Sequence, residues 1–243
     1  MADGSFDDFD IDDDLDHEPE LELEPRRGRK RASAKPAPSP RDLAAELALS
    51  LPTDRSALVR IAGDALAAYD AAVVRDAPAA AEDARNLYDA TVYRYNDDSW
   101  FASYGGPDRA GYVIAAATGA QPGDAMGWNQ KGVMRVEVDG VVAALACDGG
   151  FSLGGGWSWH ALELDKPFFS PTGYWSYLGA PVIWGATLRE AAAIWMRAAM
   201  DDRKKLVMIP EGEFIRTRPL KYGFLNDQAA QSTKPVGLMA FPF

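Results

Sequence analysis

An α+β fold with a mainly antiparallel sheet, N-terminal helices and one late helix packed on the sheet is predicted from three features of the sequence. Helical periodicity is confined to residues 42–88 and to a stretch near residue 190, and between them lie short aromatic and β-branched runs divided by glycine. Regular strand–helix alternation, which a doubly wound parallel sheet requires, is missing. A chain 47% hydrophobic, with 7 Trp, 9 Tyr and 10 Phe, has enough apolar surface to form a core without staples.

The chain opens on a charged arm, residues 1–40, carrying 12 Asp/Glu and 6 Lys/Arg. Its acidic run holds only scattered Phe6, Phe9, Ile11, Leu15, Leu21 and Leu23, too few to offset the entropy of ordering, so the arm is expected to be disordered. Arg26, Arg27, Arg29, Lys30 and Arg31 then reverse the sign ahead of Pro36, Pro38 and Pro40. This cluster is the one place where nucleic acid is expected to bind, and the acidic run beside it would compete for those charges. The formal net charge of −11 leaves five net negatives on the remaining 203 residues. That balance disfavours both a general DNA coat and a mimic of duplex DNA.

Residues 41–90 read as a helical N-terminal region. Leu43, Leu47 and Leu51 begin it; after Pro52, Thr53 or Asp54 caps a second helix with an apolar face of Leu58, Ile61, Ala62, Ala65, Leu66, Tyr69 and Val73. Pro78 starts an alanine-rich helix running to about Tyr88. Residues 91–243 are expected to form the sheet and late helix, in one domain with 41–90. Thr91–Tyr95, Trp100–Tyr104 and Tyr112–Ala117 are strand candidates, joined by turns at Asn96-Asp97-Asp98 and Gly105-Gly106-Pro107.

The clearest hairpin is Gly132–Ala146, where Met134, Val136 and Val138 alternate with charged residues and Asp139-Gly140 supplies a tight turn. Val141–Cys147 is apolar on both faces and is expected to be central or covered. Trp157–Leu164 alternates with both faces partly covered. Thr187 and Glu190 have capping-box spacing before the stripe Leu188, Ala191, Ala192, Trp195, Ala198 and Ala199. Lys205–Ile209 reads as a strand ended by Pro210.

Chemistry is restricted by composition. One cysteine, Cys147, and two histidines, His17 and His160, exclude a disulfide within the chain, a multi-thiolate zinc site and a multi-histidine metal centre, so no cofactor or metal is expected. Gly154-Gly155-Gly156 leads into Trp157-Ser158-Trp159 rather than into the lysine and hydroxyl residue of a phosphate loop. Cys147 ends an apolar strand beside Asp148, a setting for a packed thiol and not for an activated nucleophile. An enzyme would have to use His160 as acid or base with Glu163 or Asp165, which is the hydrolase or nuclease-like alternative. No run approaches 18 apolar residues and no basic leader precedes an apolar stretch, so a cytoplasmic protein without membrane association is expected.

The richest segment is Gly149–Trp184, whose rings either fill the core or line an aromatic groove. Within it, Trp157-Ser158-Trp159-His160 is followed by Leu164-Asp165-Lys166-Pro167-Phe168 and by Ser170-Pro171-Thr172-Gly173-Tyr174. This order resembles a motif in small accessory proteins of plasmids and prophages, although Trp175 stands where that pattern has arginine. The resemblance implies a mobile-element context and a regulatory or interaction role over a metabolic one. The leading expectation is therefore a protein-binding or regulatory accessory protein, a modulator of host defence or conjugation, with Trp159, Ser170, Thr172, Tyr174, Trp175 and Tyr177 as the partner surface.

Because the arm has no packable face, limited proteolysis is expected to leave a stable core beginning near residue 41; a chain cut at residue 40 that melts far below the full chain would contradict this.

Overall fold

The computed structural model describes residues 38–121, 124–151, 156–163, 166–177, 181–202 and 206–210, together with 222 and 224–225. The charged arm before residue 38, including Arg26–Arg31, lies outside the described residues, as do Asp165 and most of the chain after residue 210. The architecture is α+β: five helices and a four-stranded antiparallel sheet among the described residues.

Several of the helices start where local chemistry satisfies their first N–H groups. Helix α1 (Pro40–Ala48) has a complete capping box in which Ser39 accepts from the Asp42 N–H and Asp42 accepts from that of Ser39. Helix α2 (Arg55–Val74) is capped by Asp54, which accepts from the Ala57 N–H at 2.7 Å. Helix α3 (Pro78–Tyr95) begins on a proline, whose missing N–H costs nothing in a first turn. Helices α2 and α3 form an antiparallel pair, and α1 packs on α3 through Ala44 and Ala48 against Ala90. Alanines at these contacts let the helix axes approach closely.

Three expected strands are helix or turn. Thr91–Tyr95 is the last turn of α3, because Ala81, Ala84, Tyr88, Thr91, Val92 and Tyr95 continue one face at spacings of three and four. Within it the Thr91 hydroxyl donates to the Leu87 carbonyl at 2.7 Å, a bond that offsets its β-branching. Trp100–Tyr104 is a run of turns in which the Asn96 side chain donates to the carbonyls of Ser99 and Phe101, with Asp97, Asp98 and Ala102 at φ of 53–56°. Tyr112–Ala117 lies in helix α4 (Ala110–Ala117), which buries Ala110, Gly111, Ile114 and Ala115.

Strands β1 (Gly132–Val138), β2 (Val141–Cys147), β3 (Trp157–Ala161) and β4 (Tyr174–Tyr177) pair in sequence order as an antiparallel meander. The hairpin turn falls on Asp139 and Gly140, at φ of 50° and 79°, as the sequence predicts. Strand β2 is central and covered on both faces. Ala143, Leu145 and Cys147 join the main core with α2 and α3, while Val142 and Ala144 pack with Leu162, Tyr222 and Leu225 on the other side. Of the expected strand Lys205–Ile209, Lys205 lies outside the described residues, and Val207 forms an isolated bridge with Phe168.

Helix α5 (Leu188–Asp202) starts at the expected capping box: the Thr187 N–H donates to Glu190 at 2.8 Å and the Glu190 N–H to the Thr187 hydroxyl at 3.3 Å. Its buried face is rotated from the predicted stripe. Met196 is fully buried, Ala198 is exposed, and Trp195 is half-buried, edge-on to Trp128 and Trp157 at 5.5 and 5.6 Å. The reason is geometric: two large indoles already occupy the space over the sheet, so a third ring fits only at the margin.

Met196→Ala is expected to cost about 2–5 kcal/mol in chemical unfolding, whereas Ile194→Ala, on a side chain 49% exposed, should change stability by less than about 0.5 kcal/mol. The opposite ranking would place the helix on its other face.

Candidate functional site

One concave feature among the described residues brings together positions far apart in the chain. A cleft of about 850 Å³ is lined by Ser39, Pro40 and Arg41 at the start of α1, Arg85 and Asp89 on α3, Trp100 and residues 102–105 of the turn segment, and Phe151 after β2. That volume is in the range of small-ligand sites.

Each wall is held for a reason visible in the sequence. Trp100 leans on Tyr93, ring centroids 4.8 Å apart, and the Arg41 guanidinium lies 6.0 Å from its indole. Tyr104 lies against Gly111 of α4, where a Cβ would come within 2.2 Å of the phenol ring; only glycine lets the ring sit there. Phe151 seats edge-on against Tyr69 of α2 and Tyr88 of α3 at 4.7 and 5.2 Å. Its approach depends on Gly149 and Gly150, both near φ of 80°, with the Gly150 N–H donating to the Asn129 carbonyl at 2.8 Å.

Charge in the cleft is arranged unusually. Arg85 and Asp89 are one helical turn apart, yet their closest nitrogen–oxygen distance is 3.8 Å, longer than a good charged hydrogen bond. Asp89 Oδ1 is buried and has no hydrogen-bond partner among the described residues. Burial, opposed by Arg85, raises the Asp89 carboxyl to about 6. Perturbed carboxyls in clefts are a recurrent mark of functional sites.

The residues singled out from sequence are placed elsewhere. His160 is buried on the second face of the sheet, its Nε2 3.1 Å from the Ser158 hydroxyl and its ring between Tyr174 and Tyr222. Glu163 pairs with Lys166 at 2.8 Å, and Asp165 lies outside the described residues. Cys147 is buried and its thiol is pushed up to about 12 by burial, the opposite of activation. Among the described residues no group of three or more His, Cys, Asp or Glu is arranged to hold a metal ion.

In the aromatic segment Trp159 is 1% exposed and faces the main core, edge-on to Phe169. Trp175 is half-buried against Phe169, and Tyr174 is exposed. The Ser170 and Thr172 hydroxyls both donate to the Tyr174 carbonyl, at 2.8 and 3.0 Å, which closes the turn into β4. Tyr177 is described only through its backbone pairing with Trp157. Of these rings, Trp159 is therefore part of the core and Tyr174 is exposed.

The cleft has no short motif. Its residues are spread from 39 to 151, and the one local signal is Arg85 and Asp89 at i, i+4 on a helix that also buries Tyr88.

Residues 43–117, from within α1 to the end of α4, match the family described as the KlcB N-terminal DNA-binding domain. Two curated proteins from Escherichia coli, each called Protein KlcB, are similar over longer stretches. One is 34% identical over 168 residues, 68% of this chain and 42% of the relative; the other is 32% identical over 181 residues, 72% and 38%. The chain spans about four-tenths of the length of these relatives. No solved structure matches. No helix among the described residues is long and apolar enough to cross a membrane.

The raised Asp89 carboxyl makes the cost of the site measurable. Between its unfolded value near 4 and about 6 the folded chain binds more protons than the unfolded one, so this group's contribution falls as pH rises through that window. Asp89→Asn should raise the melting temperature at pH 8, with a gain on the order of 3 kcal/mol at most that disappears below about pH 4. A destabilised variant at pH 8 would mean that the carboxylate is satisfied in the fold.

Proposed function

We propose that this protein binds DNA as an accessory regulatory protein and that the cleft between α1, α3 and the turn segment is where its helical region touches the sugar–phosphate backbone. The observation that carries this reading is the similarity of residues 43–117 to a DNA-binding domain: the cleft's Arg85, Asp89, Trp100 and Tyr104 all fall inside that span, and Arg41 lies two residues before it.

Charge arithmetic restricts how such binding works. Residues 43–117 carry six arginines, no lysine and eleven acidic side chains, a net of five negatives. A broad electrostatic attraction to phosphate is therefore unavailable, and contact must come from a few cations presented where the acids are turned away or neutralised. Arg94 is engaged with Asp98, while Arg55, 3.8 Å from Asp97 across two exposed side chains, lies outside the cleft. Arg41 and Arg85 meet at the cleft with aromatic walls behind them, and guanidinium groups backed by rings bind phosphate while losing little side-chain freedom. The basic cluster Arg26–Arg31 adds a second, sequence-independent attachment in this reading, raising local concentration on the same polymer.

A regulatory role agrees with the resemblance of the 157–176 segment to accessory proteins of plasmids and prophages. It also agrees with the placement of His160 and Cys147, which are packing groups in the sheet and present no nucleophile or base to an open surface. A part in host defence or conjugation is the finer form of the same proposal.

Fluorescence anisotropy of the full chain on a labelled duplex tests it. Affinity should fall as salt rises, and Arg41→Ala with Arg85→Ala should weaken binding about tenfold or more and reduce the salt slope by nearly two, one unit per lost phosphate contact. An unchanged slope and affinity in that double variant would remove the cleft from the interface.

A further inference from the structure

We infer that Phe101 is a wedge that inserts between stacked bases of duplex DNA and kinks the duplex beside the cleft. This inference rests on the DNA-binding reading and deepens it, since it names what grips the duplex once Arg41 and Arg85 hold its backbone.

Exposure comes first. The Phe101 side chain is 87% exposed, more than any other large hydrophobic among the described residues. Its neighbours turn inward: Trp100 leans on Tyr93, and Trp100, Ala102, Ser103 and Tyr104 all line the cleft. Phe101 therefore stands one residue from the cleft wall on either side, with its ring given to solvent. It also falls within residues 43–117, the span similar to a DNA-binding domain.

The chain is fixed at that point. The Phe101 N–H donates to the Ser99 hydroxyl at 3.1 Å and its carbonyl accepts from the Asn96 side-chain amide at 3.1 Å, so both backbone groups of this exposed residue are held. The same amide donates to the Ser99 carbonyl at 2.7 Å and to the Ser103 hydroxyl at 3.3 Å, and that hydroxyl donates to the Ser99 carbonyl at 3.2 Å. Ala102, next in the chain, is at φ of 53°, with no polar side chain to ease that conformation. A strained, cross-braced turn that points a phenylalanine outward forgoes the burial the ring would gain in the core. In exchange the backbone carrying the ring needs no further ordering when a partner arrives.

Charge and the neighbouring tryptophan identify the partner surface. Six arginines against eleven acidic side chains in residues 43–117 leave few cations for phosphate, so binding needs a contribution that does not depend on charge. The apolar surface of a duplex lies between its base pairs, and phenylalanine is among the side chains that enter there, unstacking one step and bending the helix by about 20–90°. Pyrimidine–purine steps yield most easily. Trp100 is not available for this, because the Arg41 guanidinium lies over its indole at 6.0 Å. That arrangement instead puts a cation beside the wedge: Arg41 meets a phosphate while the residue after Trp100 enters the adjoining step. Asp97 and Asp98, at the start of the turn, are not among the residues lining the cleft, and Asp98 is paired with Arg94.

The test titrates the full chain against a short duplex with one central TpA step, 2-aminopurine in place of the adenine of that step, and donor and acceptor dyes at its two ends. Insertion is expected to brighten the aminopurine as it unstacks and to raise energy transfer as the bend draws the ends together. Phe101→Ala should lose both signals and bind about tenfold more weakly, in the range found when one stacking ring is truncated. Its melting temperature and the salt dependence of its binding should remain those of the unsubstituted chain, because the ring neither packs in the fold nor touches phosphate. Binding without either signal, signals that persist in Phe101→Ala, or a Phe101→Ala chain that melts far below the unsubstituted one overturns this inference and leaves DNA binding standing; failure to bind the duplex overturns DNA binding itself.

Discussion

The seating of Phe151 between Tyr69 and Tyr88 is the joint on which the cleft depends, since it is where the sheet's connecting chain is brought against α2 and α3. Edge-on pairs of this kind contribute about 0.5–1.5 kcal/mol each beyond the area they bury, and here two of them fix one ring. The position is reached only because Gly149 and Gly150 take up positive φ; at Gly149 a Cβ would come within 2.8 Å of the Lys131 backbone. A second tie runs parallel to it. The Trp128 N–H donates to Asp70 of α2 at 2.9 Å and its indole N–H to the Ala186 carbonyl at 3.0 Å, which links α2, the chain entering β1 and the start of α5. With both ties made, the helical pair and the sheet share one core, and the wall that Phe151 provides is as rigid as that core.

Where local chemistry decides the outcome, the sequence is readable. Capping by Asp54 and by the Thr187–Glu190 pair, the Asp139-Gly140 turn and the double-sided burial of β2 each follow from a few neighbouring residues, and each is found as expected. Residues 91–117 are different. Thr91, Val92 and Tyr93, or Tyr112, Val113 and Ile114, have strand propensity in a short window, but Thr91 and Val92 complete a helical face begun ten residues earlier, and Ile114 is buried with Ala110 as its i, i+4 neighbour. Packing against α2 and α1 overrides propensity there. Trp195 and Met196 show the same limit at the scale of one residue, because the rotation of α5 is set by Trp128 and Trp157, which its own periodicity cannot reveal.

Less of the cleft is legible than of the fold. Dense features stand out in a sequence, and here they are the 157–177 aromatics, the isolated His160 and the arginine run at 26–31. In the structure the inward-facing aromatics Trp157 and Trp159 are core, and His160 closes the second face of the sheet. The cleft instead joins Arg41, Arg85, Asp89, Trp100 and Phe151, five residues from four separate segments, each ordinary where it stands. Net charge hides it further. A helical region with five net negatives argues against nucleic acid as a composition, yet the acids that outnumber its arginines include Asp54 and Asp98, which are occupied with a cap and an ion pair. At this concave surface the local balance is two guanidiniums to one carboxyl whose proton is held unusually well, which the composition of the whole region hides.

That carboxyl also decides between two explanations of the cleft. A packing residue is selected for stability, and at position 89 the amide of asparagine would fill the same volume without the penalty of a buried charge. Arg85 offsets part of that penalty, but at 3.8 Å it does not hold the carboxyl at its ordinary value, and burial is the larger influence. A fold that keeps an acid strained beside an arginine that stands apart from it is carrying a cost with no return in the folded state alone. Asp89 is therefore the position at which the cleft departs from what packing alone would choose.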